Sequence, residues 1–123
     1  MEINIFDDPN KVPKPKDEIK IESLGTYVYK DRFRVRADVT VTAFQERPNL
    51  LLVMKDSTGK LVNELNIIAT MHAEMDFTMH MRGMDDPAGE YTLEAELFYE
   101  TRNPPQDTAS ITFIIPEADE GDV

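Results

Sequence analysis

The sequence predicts an all-β protein, an antiparallel sandwich of about seven strands. Three observations predict it. Four separate segments alternate apolar and polar side chains with period two, the mark of half-buried strands. Turn-forming residues separate these segments at the spacing of a sandwich. A length of 123 residues suits one domain, and 41% hydrophobic residues is more than a disordered chain carries.

Residues 1–16 read as an extended, Pro-rich lead-in. Ile3, Ile5 and Phe6 are apolar, and then Asp7-Asp8-Pro9 and Pro13-Lys14-Pro15-Lys16 break regular structure. Proline lacks a backbone donor and favours solvated, extended chain. The sandwich domain is expected over residues 17–117. Ile19 and Ile21 suggest a short first strand. Over 33–43 every odd position is apolar, from Phe33 through Val35, Ala37, Val39 and Val41 to Ala43. The even positions carry Arg34, Arg36, Asp38, Thr40 and Thr42. Residues 49–55 form an apolar run. Asp56-Ser57-Thr58-Gly59 is a turn leading into a strand over 60–65. Residues 64–72 fit either a helical turn or a crossing strand. Met75, Phe77, Met79 and Met81 alternate with Asp76, Thr78, His80 and Arg82. Tyr91, Leu93, Ala95, Leu97 and Tyr99 alternate with Thr92, Glu94, Glu96, Phe98 and Glu100. Ile111, Phe113 and Ile115 close the series. Residues 118–123 are an acidic tail.

Charge is unevenly placed. The chain has 13 Lys plus Arg against 24 Asp plus Glu, a net charge of −11. Residues 11–36 carry eight bases and four acids, whereas residues 37–123 hold five bases and 17 acids. The early stretch is either a basic patch for an acidic partner or an internal counterpart to the acidic later strands. The acidic balance argues against nucleic acid as a partner, because phosphate repels a surface of its own sign. No run approaches the roughly 20 apolar residues of a membrane-spanning helix, so no membrane partner is expected. No export signal is visible, which favours the cytoplasm if the chain is complete.

The segment Asp85-Asp86-Pro87-Ala88-Gly89-Glu90-Tyr91-Thr92-Leu93 carries a resemblance. An acidic turn, a glycine, one residue and then a tyrosine opening an alternating strand resembles the start of the sixth strand in immunoglobulin-like sandwiches. The resemblance implies an immunoglobulin-like or fibronectin-III-like module of bacterial type. It also implies structural roles for Gly89 and Tyr91: a corner in which the ring is buried and the hydroxyl returns to the loop backbone. The Cys pair and core Trp of antibody domains are absent.

Chemistry-bearing constellations are sparse. The absence of Cys excludes disulfides, thiolate metal sites and thiol nucleophiles. Ser23, Ser57 and Ser110 lack a Gly-rich elbow or a neighbouring His, and phosphate-cradling loops are missing. The expectation is therefore no enzyme, no catalytic residue and no cofactor. Met71, Met75, Met79, Met81 and Met84 cluster with His72 and His80, a ligand set suited to copper. Alternation places Met79 and Met81 on the face opposite His80, so core filling is the expectation and no metal site is assigned. Asp7, Asp8, Asp56, Asp85 and Asp86 sit in turns that calcium could use, yet no Asp-x-Asp-x-Asp loop is present.

Alternation also predicts a surface. With Leu50, Leu52 and Met54 inward, Leu51 and Val53 face out; by the same register Phe98 and Ile114 face out. Third, sixth and seventh strands share a sheet in this topology, so Leu51, Val53, Phe98 and Ile114 are expected to form an apolar stripe. A protein partner or a second copy would use it, unless Ile3, Ile5 and Phe6 cover it. The opposite outer face is expected to be solvated, with cross-strand Arg–Asp pairs. The leading expectation is a non-catalytic interaction or structural module. The alternative is a calcium- or copper-dependent binding domain.

Overall fold

A computed structural model describes residues 12–118. Seven strands follow a short 3-10 turn at Lys16–Glu18: β1 Ile21–Val28, β2 Arg34–Val41, β3 Asn49–Asp56, β4 Leu61–Ile67, β5 Glu74–His80, β6 Gly89–Phe98 and β7 Asp107–Ile115. They form two antiparallel sheets, ordered β1-β2-β5 and β4-β3-β6-β7. This is an immunoglobulin-like sandwich. Its fourth strand pairs with the third, giving three strands against four rather than the four-plus-three division of antibody constant domains.

Period two decides which side chains enter the core. In β2, Val35, Ala37, Val39 and Val41 are at most 1% exposed, and their even-numbered neighbours are not buried. Leu50, Leu52 and Met54 of β3 meet them from the other layer, with Leu93, Ala95 and Leu97 of β6. Ile19, just before β1, and Met81, just after β5, seal the two ends at 2% and 3% exposure. Burying a side chain of Val, Leu or Met size contributes about 1.5–3 kcal/mol each.

Three expectations change. The first strand is not short: β1 runs eight residues, because Leu24, Thr26 and Val28 continue the ladder opposite Val39, Ala37 and Val35. Residues 64–72 hold no helical turn. They finish β4 at Ile67 and then bend, with Ala69 at φ 53°, while Thr70 N–H donates to Pro48 O at 2.8 Å. Thr42 is not solvated but 7% exposed, because its hydroxyl and N–H pair with the backbone of Lys20.

The end of the lead-in is tied to the body. Lys14 N–H donates to Ala43 O at 2.8 Å, and Gln45 N–H donates to Lys14 O at 2.9 Å. Residues 1–11, including Ile3, Ile5, Phe6, Asp7 and Asp8, lie outside the described residues, as do 119–123. No helix among the described residues is long and apolar enough to cross a membrane.

Candidate functional site

The acidic turn before β6 is built around Tyr91. Its side chain is 5% exposed and stacks on Phe113 with ring centroids 5.7 Å apart. The hydroxyl donates to Pro87 O at 2.7 Å and lies 3.7 Å from Met84 Sδ. Burial raises the phenol pKa, and the carboxylates of Asp56 and Asp86 add to the effect. Gly89 adopts φ 145°, a conformation other residues rarely take, so the loop can reverse within two residues of the ring.

Asp86 fixes this loop. It accepts from Ala88 N–H and from Arg32 Nη1, both at 3.1 Å, and these bonds hold its carboxyl below the usual carboxylate range. Arg32 Nη1 also donates to Pro116 O at 3.0 Å. Asp56 is occupied in its own turn, accepting from Thr58 Oγ1 at 2.6 Å and from the N–H groups of Thr58 and Lys60. Among the described residues, no three or more His, Cys, Asp or Glu are arranged to hold a metal ion. Met79 and Met81 lie in the core, Met75 and Met84 pack against it, and Met71 is 63% exposed. His72 and His80 are exposed.

The outer face of the four-stranded sheet departs from the expected stripe in two ways. Leu51 faces outward but is only 2% exposed. It lies on a central strand, flanked in register by Asn66 of β4 and Glu96 of β6. Arg102 holds Glu96 at 2.9 Å, which fixes the side chain on one flank of the leucine. Nor is the stripe continuous. Phe98 lies opposite Asn49, whereas Ile114 lies opposite Glu90 at the far end of β6. Eight residues at about 3.3 Å each separate the two by about 26 Å. Glu96, Glu94 and Thr92 stand between them.

What remains is a smaller apolar end. Phe98 is half-buried there, whereas Val53, also half-buried, lies four residues along β3 between Glu64 and Glu94. Ile68 joins Phe98 at this end: Ile67 packs on the core, so the next residue turns outward, and it is 68% exposed. Asn49 fixes this end, donating to Tyr99 O at 2.8 Å and accepting from Ala69 N–H at 2.7 Å. Sequence reasoning missed Ile68 because it fell in the segment of undecided conformation. Continuing the alternation of β4 by one residue would have found it. Ile114 stands apart, also 68% exposed, on the edge strand β7.

The outer face of the three-stranded sheet carries charge with aromatic rings between. Arg34 Cζ lies 4.4 Å from the Tyr29 ring centroid and Arg36 Cζ lies 5.1 Å from that of Tyr27. The two rings meet edge-on at 5.6 Å. The expected cross-strand Arg–Asp pairs do not form. Arg34 faces His80, Arg36 faces Thr78, and Asp38 faces Asp76. Each Arg instead takes an acid from its own stretch of chain, Arg34 with Asp31 at 2.8 Å and Arg36 with Asp38 at 2.9 Å. Exposed pairs of this kind contribute little to stability, because solvent screens them.

Two sheets, a buried corner tyrosine and the strand order define the class as an immunoglobulin-like sandwich. No protein-family model matches the chain, and no curated protein sequence matches it. Solved structures share the fold. The β-glucuronidase of Bifidobacterium dentium, complexed with coumarin-3-O-glucuronide, is 20% identical with a TM-score of 0.53; the match covers 79% of this chain and 18% of that one. The Parabacteroides merdae β-glucuronidase is 12% identical with a TM-score of 0.54, covering 79% and 13%. A glycosyl hydrolase family 2 member from Bacteroides cellulosilyticus is 11% identical with a TM-score of 0.54, covering 79% and 15%. At these identities the likeness is one of fold, and the chain spans less than a fifth of each of these proteins.

Proposed function

We propose that this chain is a non-catalytic interaction module, and that it contacts another protein through the end of the four-stranded sheet that carries Ile68 and Phe98. The observation that carries this reading is Ile68. A large aliphatic side chain stands 68% exposed at a bend that Asn49 ties down, at the same end of the sheet as half-buried Phe98. Isolated exposed apolar residues are ordinary, but an apolar end bordered by Glu96 and its partner Arg102 has the anatomy of a contact site. The fold neighbours support the same reading. In those glycoside hydrolases the matched region is 13–18% of a longer chain, a setting that suits a module working beside other parts of a protein.

Cross-linking with mass spectrometry tests it. Lys55 lies on the same outer face, whereas Lys20 and Lys30 lie on or beside the three-stranded sheet. Cross-links from the full-length natural protein in its native extract, made to a second polypeptide or to another region of the same one, should start from Lys55. They should vanish in the Ile68→Glu, Phe98→Glu double variant at unchanged thermal stability. Cross-links arising only from Lys20 and Lys30, or surviving the double variant, would overturn the reading.

A further inference from the structure

The sandwich has four strand edges, and three are blunted. In β1 the ladder shifts between Ile21 and Ser23, next to the exposed Glu22. β4 skips a residue opposite Met54 and Lys55 and turns Glu64 outward. β5 exposes Glu74, Asp76 and His80. Bulges and charges of this kind stop one sheet edge from pairing with another.

The fourth edge has no bulge, and its one charge, Asp107, stands at its first position. β7 pairs with β6 through nine consecutive partners, from Asp107 opposite Leu97 to Ile115 opposite Gly89, with no shift of register. From Thr108 to Ile115 it contains no charge, no Pro and no Gly. Its outward side chains are Thr108, Ser110, Thr112 and Ile114, all exposed; its inward Ala109, Ile111 and Phe113 are only half-buried. β1 approaches β7 from the other layer and is tied to it by Ile21 N–H donating to Asp107 Oδ2 at 2.8 Å, but no ladder joins the two strands among the described residues. Alternate N–H and C=O groups along β7 therefore point away from β6.

We infer that β7 is a homodimer edge: it pairs antiparallel with β7 of a second copy of this chain about a two-fold axis at Ile111, joining two four-stranded sheets into one of eight strands. Self-pairing in this register is complementary. Thr108 comes opposite Ile114, Ser110 opposite Thr112, and Ala109 opposite Phe113, with matching faces. The exposed Ile114 gains the methyl group of Thr108 as a neighbour, which supplies a role for an apolar residue lying far from Ile68 and Phe98. No charge meets a like charge. The acid on β7 itself, Asp107, comes opposite Ile115 and accepts from Ile21 N–H of its own chain; Glu90, Glu94 and Glu96 are one strand back on β6. The two β6 strands would lie three strand spacings apart, about 14 Å, beyond the screening length of about 8 Å at physiological salt. Self-pairing of β5 about Met75 would instead set Glu74 of each copy opposite Asp76 of the other. This inference does not rest on the function proposed above.

Sedimentation equilibrium from micromolar to millimolar chain tests it at physiological salt. The full chain should rise toward twice the mass of one chain. Thr112→Lys places a cation beside its own copy near the axis and should hold the chain at monomer mass with an unchanged melting temperature. Phe98→Glu should leave the dimer intact. As a check independent of any variant, amide exchange within residues 108–114 should slow as concentration rises. A chain that stays monomeric, or a dimer that survives Thr112→Lys, overturns the inference. So does a dimer lost in Phe98→Glu but not in Thr112→Lys, which would move the contact to the sheet face.

Discussion

Tyr91 couples the loop before β6 to the core. Its ring belongs to the hydrophobic cluster, while its hydroxyl satisfies the carbonyl of Pro87, the one buried residue between Asp85 and Glu90. Tyr91→Phe keeps the ring and removes only that bond. The carbonyl then loses its partner, and the variant should be less stable by about 1–2 kcal/mol in urea unfolding, with an unchanged dependence on denaturant. The residues around Asp85–Leu93 were legible because a tyrosine corner is a local device: acid, glycine and tyrosine stand within a few positions of one another. Ile68 was not legible in the same way. Its exposure depends on where β4 stops, which Asn49 decides from twenty residues away. The stacking of Tyr27 and Tyr29 with Arg36 and Arg34 was missed for a related reason, since it needs the pairing of β1 with β2 before the rings and guanidinium groups meet.

Each strand obeys the alternation rule, and the rule has a limit that β3 makes plain. Direction follows from period two, so Leu51 does face away from the core. Exposure depends on the neighbours across the ladder, which the strand's own sequence does not contain. On a strand flanked at both sides, Leu51 has Asn66 and Glu96 as neighbours and is covered; on the edge strand β7, Ile114 has one flank only and stays open. Leu51→Ala should therefore behave as a deletion from a packed interior rather than a surface change. Its expected cost is about 2–4 kcal/mol, read as a lower denaturation midpoint. A cost under about 0.5 kcal/mol, the scale of ordinary surface substitutions, would show that the outward leucine is poorly packed after all.

At the scale of the whole molecule, fold class was the most legible property, because it needs only the strand count, the turns and one corner. Surface chemistry was less so, because it needs the order of strands. The charge distribution gives the fold a pH window whose two edges have separate causes. Asp56 is held low by the Thr58 hydroxyl and the Lys60 N–H, and Asp86 by the Ala88 N–H and Arg32, both from an ordinary value of 3.8. Their native pKa values lie below those of the unfolded chain. Their contribution is thus present above pH 3.8 and lost as pH falls through the lower, folded values. At the alkaline side, burial and then Glu46 push Tyr99 from 10.0 up to about 12, with its hydroxyl donating to Glu46 O at 2.8 Å. That contribution is present below pH 10.0 and lost as pH rises toward about 12. Thermal melts across pH should show a plateau with both shoulders. A Tyr99→Phe variant should lose the part of the alkaline shoulder assigned to that group, and its phenolate titration should show one late-ionising tyrosine fewer, with Tyr91 remaining.

Arg32, with its backbone at φ 67°, reaches both Asp86 and Pro116 O. One guanidinium therefore rivets three stretches of chain far apart in sequence: the hairpin after β1, the approach to β6 and the exit from β7. That pole of the slab is cross-braced through a single side chain, so Arg32→Ala would release three stretches at once.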